Sequence, residues 1–223
     1  KAFEIWKNHL VSMGYGYKLG VDLPGESRGF IPNAKFYDKF YSEGRWSANT
    51  IISVSIGQGE ILSTPIQIAN LSATIANRGW FITPHVVKEI QDTVMPAEIL
   101  DRRYPTIEAH YYADVAEGMR MAVTGGTCRR AAIPGIEVCG KTGTAQNPHG
   151  KDHSAFMGFA PYTDPKIAVA VYVENGGWGA TYGVPIGSLV MEKYLTGKIA
   201  PERKYMEDQM INSSIIYAAP KKK

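Results

Sequence analysis

Apolar positions change rhythm along the chain. Phe3, Trp6, Leu10 and Met13 fall at helical spacing, Ile5 and Val11 widen the stripe, and Gly14 can end it, so residues 2–13 are expected as a helix. Residues 15–49 hold Gly, Pro and aromatics without a period and read as irregular. A second helix carries its own start signal. Thr64 can cap it, Pro65 suits the first position and Gln67 completes a capping box. Ile68, Leu71 and Ile75 give the expected buried stripe, with Gly79 as the closing turn. Residues 81–90 read as extended and 91–105 as a linker. A third helix is expected over 106–123, with Tyr111, Val115 and Met119 four apart.

After Gly125 and Gly126 the period drops from 3.6 to 2. Residues 136–144, 154–161 and 167–174 read as strands, joined by Asn147-Pro-His-Gly-Lys-Asp-His153 and Tyr162-Thr-Asp-Pro165, both rich in turn formers. Connections this short imply antiparallel neighbours, hence a three-stranded meander. Pro185 to Leu195 reads as a last helix closed by Gly197, and residues 198–223 as a polar tail. The expected class is α+β, an antiparallel sheet flanked by helices.

Composition narrows the function classes. In 223 residues, 44% hydrophobic and 20% charged positions suit a folded globular chain. No run of about 18 apolar residues is present to span a bilayer, and Lys1-Ala-Phe-Glu-Ile-Trp6 does not read as a signal peptide. The net charge of +3 equals the contribution of Lys221, Lys222 and Lys223, so the body is near neutral. No basic stripe interleaved with aromatics supports a nucleic-acid partner. Two cysteines, Cys128 and Cys139, read as small buried thiols, with a bridge across their short loop as the alternative. His149, Asp152 and His153 resemble a metal cluster, yet share a hairpin loop of the kind that is usually solvated, so no metal is expected. No cofactor is expected either. Asn212-Ser-Ser is a formal glycosylation sequon and reads as surface.

Three motifs compete for the chemistry. Gly135-Ile-Glu-Val-Cys-Gly140-Lys141-Thr142 satisfies the phosphate-loop pattern. Such a loop needs a helix starting at its lysine, and here the residues between the glycines are strand formers. Gly25-Glu-Ser27-Arg-Gly29 is a formal nucleophile elbow, but Leu23-Pro24 before it and Phe30-Ile31-Pro32 after it leave room for neither strand nor helix. The third motif is Lys141-Thr142-Gly143-Thr144. An ammonium, two hydroxyl donors and a glycine on one strand suit an extended anionic ligand laid along a sheet edge. The pleat puts Lys141 on the face opposite Thr142 and Thr144, so all three can serve one ligand only from an edge strand.

Longer blocks give that motif a context. Ser53-Val-Ser-Ile-Gly-Gln-Gly-Glu-Ile-Leu-Ser-Thr-Pro-Ile-Gln-Ile-Ala69, Ile75-Ala-Asn-Arg-Gly79, Gly118-Met119, Gly140-Lys-Thr-Gly-Thr-Ala-Gln146, Ala155-Phe-Met-Gly-Phe-Ala-Pro161 and Asp164-Pro-Lys-Ile-Ala-Val-Ala-Val171 resemble, in this order, class B penicillin-binding proteins. Gly20-Val-Asp-Leu-Pro-Gly-Glu26 resembles the elongation branch of that family, the penicillin-binding protein 2 type. The family signature joins Ser-x-x-Lys, Ser-x-Asn and Lys-Thr-Gly. Here only the third is in place. Thr163-Asp-Pro-Lys166 mimics the first spacing in a turn, and Ser47-Ala48-Asn49 matches the second only after the block it should precede.

The resemblance implies the penicillin-binding protein and serine β-lactamase-like fold, with residues 1–197 as the C-terminal part of a transpeptidase domain whose first two motifs lie upstream. It implies a peptidoglycan D,D-transpeptidase in which a serine attacks a D-Ala-D-Ala stem peptide or a β-lactam. Thr142 and Thr144 would bind the terminal carboxylate, the Thr144 N–H would serve the oxyanion hole, and Lys141 would polarise the second-motif serine. Gly140 and Gly143 would keep the wall flat, and Gln146, Trp178 and Tyr182 would line its rim. The family further implies a membrane-embedded glycosyltransferase partner, an N-terminal anchor outside this chain and a place on the periplasmic side of the inner membrane. Without its serine, this piece alone is expected to be inactive. A β-lactam sensor of the same fold and, more remotely, an NTPase using residues 135–142 are the alternatives.

Overall fold

Local signals build most of the elements in the computed structural model, which describes residues 1–215; Lys221, Lys222 and Lys223 lie outside them. In chain order the helices are α1 (Ala2–Ser12), α2 (Ala34–Tyr41), α3 (Ile52–Ser55), α4 (Pro65–Ala76), α5 (Ala97–Leu100) and α6 (Ala109–Thr124). Strands β1 (Cys139–Ala145), β2 (His153–Ala160) and β3 (Ile167–Val173) follow, then α7 (Gly183–Thr196) and α8 (Lys204–Ile211). Two compact units divide the chain, residues 1–74 with 79–108, and residues 75–78 with 109 onward.

In the first unit the expected capping box forms. Thr64 N–H donates to Gln67 Oε1 at 3.0 Å and Gln67 N–H to Thr64 Oγ1 at 3.4 Å. The buried stripe of α4 differs from the apolar one expected. Gln67, Asn70 and Thr74 are buried, whereas Ile68 and Leu71 are only half-buried. Ile75 is buried as expected. Thr74 Oγ1 donates to Asn70 O of its own helix at 2.7 Å, while Gln67 and Asn70 satisfy backbone carbonyls that the preceding segment leaves without a ladder. Gln67 Nε2 donates to Tyr17 O and Arg28 O, both at 3.1 Å, and Asn70 Nδ2 to Met13 O at 3.3 Å. Carboxylates do the converse for N–H groups. Glu26 accepts from Leu19, Gly20 and Val21, so the formal elbow at residues 25–29 is part of a clamped loop.

Residues 15–49 are not wholly irregular. Asn33 Oδ1 caps α2 by accepting from Phe36 N–H at 2.8 Å, and Phe36, Tyr37, Phe40 and Tyr41 supply its aromatic face. Phe3 of α1 stacks on Trp6 at 5.4 Å and meets Tyr37 and Trp46 edge-on at 5.7 Å. Residues 81–90 form no strand; Phe81 makes a single bridge with Arg103, and the linker holds the short α5.

In the second unit the meander has the expected order, β1-β2-β3, antiparallel throughout. On α6 the buried residues are Tyr112, Ala116, Met119 and Val123. Met119 is buried as expected, whereas Tyr111 and Val115 are exposed and their places are taken by Tyr112 and Ala116. The core joins Val123, Cys128, Ala131, Ile133 and Val138 to Phe156, Val169, Val184 and Met191. Phe156 sits at its centre. A Cβ on Gly140, Gly158, Gly183 or Gly187 would come within 2.5–3.0 Å of its side chain. Gly140 is therefore a glycine that seats this ring, not one that flattens an outer wall.

Residues 198–223, expected as a polar tail, contain α8 in their described part. A buried ion pair explains why this polar stretch packs. Arg203 Nε lies 3.2 Å from Glu192 Oε2 of α7, while Arg203 also donates to Ala132 O at 2.6 Å and to Ser188 Oγ. Glu192 Oε1 accepts from Ala200 N–H at 3.1 Å. Cys128 and Cys139 are buried free thiols. Burial pushes the Cys139 thiol up to about 12, outweighing the Arg120 and Arg78 charges.

Two stability predictions follow from these buried groups. Arg203→Met leaves Glu192 as a buried, unpaired charge and is expected to lower unfolding free energy by about 3–5 kcal/mol, whereas Arg203→Met with Glu192→Leu recovers most of it. Chemical denaturation of the three proteins checks this; equal losses in both variants contradict it. For Cys139 the folded value lies above the unfolded one, so the stabilisation from the protonated thiol is full below about pH 9 and drains away as pH rises toward about 12. Denaturation midpoints of wild type and Cys139→Ala are expected to draw together as pH rises from about 9 toward about 12, and a constant gap contradicts the assignment.

Candidate active site

β1 is an edge strand. It pairs with β2 alone among the described residues, in the register Lys141 to Met157, Thr142 to Phe156, Gly143 to Ala155 and Thr144 to Ser154. The edge position that the Lys-Thr-Gly-Thr motif requires is thus present, and the strand occupies the stretch that a phosphate loop would need for its helix. Period 2 puts Gly140, Thr142 and Thr144 on the face of Phe156 and α7, and Lys141 and Gly143 on the other.

Each motif side chain has a definite setting. Lys141 is exposed, and its Nζ donates to Thr142 O at 2.6 Å. Thr142 Oγ1 lies 3.0 Å from Thr127 Oγ1, across the turn that follows α6. Thr144 Oγ1 accepts the Gly179 N–H at 3.2 Å. Beneath Thr144, its cross-strand neighbour Ser154 is fully buried. Ser154 Oγ lies 2.9 Å from Trp178 O and 3.2 Å from Gly179 O, and it accepts from Gly183 N–H at 3.0 Å. Ser154 therefore fastens the segment before α7 against the sheet.

That segment explains a glycine the sequence reading passed over. A Cβ on Gly179 would lie 2.4 Å from Gly143 O and 2.7 Å from Ala155 O, so only glycine lets the backbone pass this close to β1. Thr127 was also missed. Neither carries a motif, and their partners are 35 and 15 residues away in the chain. The turn Gly125-Gly126 before Thr127 is the one local hint.

The rim residues separate from the strand. Gln146 is exposed one residue past β1. Trp178, 78% exposed, and Tyr182 line a cavity of about 590 Å³ with Lys151, Asp152, Asn175 and Thr181. Trp178 is tied to the strand through Ser154 and through the neighbouring Gly179 N–H on Thr144. The cavity floor is tied by Asp152, whose Oδ1 accepts from Asn147 N–H at 3.1 Å and whose carbonyl accepts from Gly177 N–H at 2.7 Å. His153 Nδ1, one of the metal-like trio, accepts from Asn175 N–H at 3.0 Å.

Electrostatics around the strand are one-sided. Cys128 lies buried behind it, against the Thr142 backbone and Thr127. Burial pushes its thiol up, outweighing the nearby Thr127 side chain, the Thr142 backbone and the Lys141 charge. This thiol stays neutral and serves as packing. The exposed ammonium and the two threonine hydroxyls remain as groups able to meet an anion, along a strand edge able to pair with an extended chain.

Comparisons with known proteins agree with this geometry. The peptidoglycan D,D-transpeptidase MrdA of Haemophilus influenzae is 32% identical over 219 residues, covering 89% of this chain and 34% of that protein. The chain thus spans about a third of the relative's length. Among solved structures, Pseudomonas aeruginosa PBP2 in complex with WCK 5153 superposes with a TM-score of 0.75 at 32% identity, covering 90% of this chain and 47% of that one. The complex between PBP2 and MreC from Helicobacter pylori gives 0.73 at 27% identity, covering 87% and 36%. The model of the penicillin binding protein transpeptidase domain matches residues 4–192, so the chain belongs to the penicillin-binding protein transpeptidase family, where it is similar to the PBP2 and MrdA type.

Proposed function

We propose that this chain supplies the Lys-Thr-Gly wall of a serine-type peptidoglycan D,D-transpeptidase. The observation that carries the reading is the edge strand β1, with Thr142 and Thr144 hydroxyls held by partners of the fold and Lys141 exposed beside them. The nucleophilic serine, its lysine and the second-motif Ser and Asn lie outside residues 1–223, because no Ser-x-x-Lys occurs in this sequence.

In this reading a stem peptide ending in D-Ala-D-Ala lies along β1. The Thr142 and Thr144 hydroxyls donate to its carboxylate. The serine oxygen bonds to the penultimate carbonyl carbon, and the Thr144 N–H stabilises the oxyanion. The peptide C–N bond then breaks, and terminal D-Ala leaves carrying the proton that the serine gave up. An amine of a neighbouring stem attacks the ester, forms the new amide and returns the serine its proton. Lys141 keeps the second-motif serine polarised and draws the carboxylate in. A β-lactam with its own carboxylate enters by the same contacts and stops at the ester. Gln146, Trp178 and Tyr182 line the rim beyond Thr144.

The envelope setting belongs to the same proposal: the periplasmic face of the inner membrane, an anchor N-terminal to this chain, and a membrane-embedded glycosyltransferase as partner. The Helicobacter pylori PBP2 solved with MreC supports a second assembly partner, of the MreC type, beside that glycosyltransferase. Residues 1–197 carry the transpeptidase part, onto which α8 packs through the Arg203–Glu192 pair.

Labelling with a fluorescent penicillin tests the reading. The full-length protein is expected to be acylated, and residues 1–223 alone to stay unlabelled; labelling of this piece on any of its serines contradicts the placement of the nucleophile. In the full-length protein, Thr144→Pro removes the oxyanion N–H and is expected to slow acylation by about 10²–10³-fold. Lys141→Ala is expected to slow it by about a hundredfold, as loss of a charge acting at the reacting centre does. Acylation near the wild-type rate in both variants removes β1 from the site.

A further inference from the structure

A hydroxyl offers one hydrogen and two acceptor sites, so its behaviour toward a ligand depends on what its own oxygen already accepts. Thr144 is settled by the backbone. Gly179 N–H occupies an acceptor site of Thr144 Oγ1 at 3.2 Å, leaving the Thr144 hydrogen free to point outward. Thr142 has no such amide. The group within reach of its oxygen is the Thr127 hydroxyl at 3.0 Å, and either oxygen is able to donate in that pair.

The direction of this bond decides what Thr142 can bind. If Thr142 donates to Thr127, its single hydrogen is spent inward and the ligand meets only lone pairs, which repel a carboxylate. If Thr127 donates, Thr142 accepts inward and donates outward, and the inward bond polarises the outward one. A carboxylate selects the second arrangement.

Thr127 is placed to hold it. The turn after α6 is fixed by Gly126 N–H to Ala122 O at 3.1 Å and Cys128 N–H to Ala122 O at 2.9 Å. The next residue, Cys128, is fully buried against β1. Thr127 is itself exposed and contributes no core packing, so its hydroxyl is the part of the side chain that the fold positions against the strand.

We infer that Thr127 is a positioning residue that makes the Thr142 hydroxyl an outward donor and thereby tunes the site for ligands bearing a free carboxylate. The inference rests on the reading that Thr142 meets a carboxylate, and it adds a residue outside the Lys-Thr-Gly strand to the selectivity of that site.

Second-order acylation rates of the full-length protein with benzylpenicillin and with its methyl ester separate this role from a structural one. In Thr127→Val the rate with benzylpenicillin is expected to fall about five- to tenfold, the factor expected for one lost hydrogen bond, while the ester rate holds. Thr127→Ser is expected to restore the wild-type ratio of the two rates, and Thr127→Ala to repeat the Val result if Val does not fold. The ratio is measured within one preparation, so an inactive fraction cancels. Equal falls with both probes, or no fall with either, overturn the inference while leaving the transpeptidase reading intact. A wild-type protein that neither probe acylates overturns both.

Discussion

The packing of Phe156 sets the geometry on which the second unit depends. Its ring occupies the space that side chains would need at Gly140 on β1, Gly158 on β2, and Gly183 and Gly187 on α7. Four glycines around one buried aromatic bring a helix and an edge strand onto the same side chain, closer than any pair of larger residues allows. Thr142, directly across from Phe156, and Thr144, two residues on, inherit their positions from that contact. Substituting such a ring by alanine typically costs about 3–5 kcal/mol, and here it would also release the strand that carries the motif.

From that centre the site is built outward by hydrogen bonds of decreasing rigidity. Ser154 is fully buried and joins β2 to residues 178, 179 and 183. Gly179 then passes over Gly143 and caps Thr144 with a backbone amide. Thr127 reaches Thr142 with a side chain. Lys141, exposed and bonded to a carbonyl of its own strand, is the group most able to swing toward a partner. Order is greatest where the carboxylate contacts are proposed and least at the ammonium, as expected if the lysine has to meet groups that other parts of the protein supply.

How much of this was legible in the sequence follows from the range of each interaction. The meander and the place of Lys141-Thr142-Gly143-Thr144 on its first strand follow from a period of 2 and two turn-rich loops, all local. The capping box at Thr64 and Gln67 is local too. On α4 the apolar period finds Ile75 but not the buried Gln67 and Asn70, which look like a solvated face until the chain segment they satisfy is in view. On α6 the period picks out Met119, which is buried, but not the right residues one and two turns before it, because Tyr111 and Val115 fit the period as well as Tyr112 and Ala116 do. Residues 198–211 looked like a tail because the Arg203 and Glu192 charges neutralise each other only when folded together. Thr127 and Gly179 were invisible for the same reason: the groups they serve are distant in the chain.

The central claim is that β1 is the wall against which a carboxylate docks during serine acylation. A crystal structure of the full-length protein acylated by benzylpenicillin tests it most directly. The account predicts the drug carboxylate at charge-assisted hydrogen-bond distance, about 2.5–2.7 Å, from Thr142 Oγ1 and Thr144 Oγ1. It also predicts the acyl oxygen facing the Thr144 N–H, on a serine outside residues 1–223. A drug bound with its carboxylate away from β1, or an ester on a serine within this chain, would contradict it.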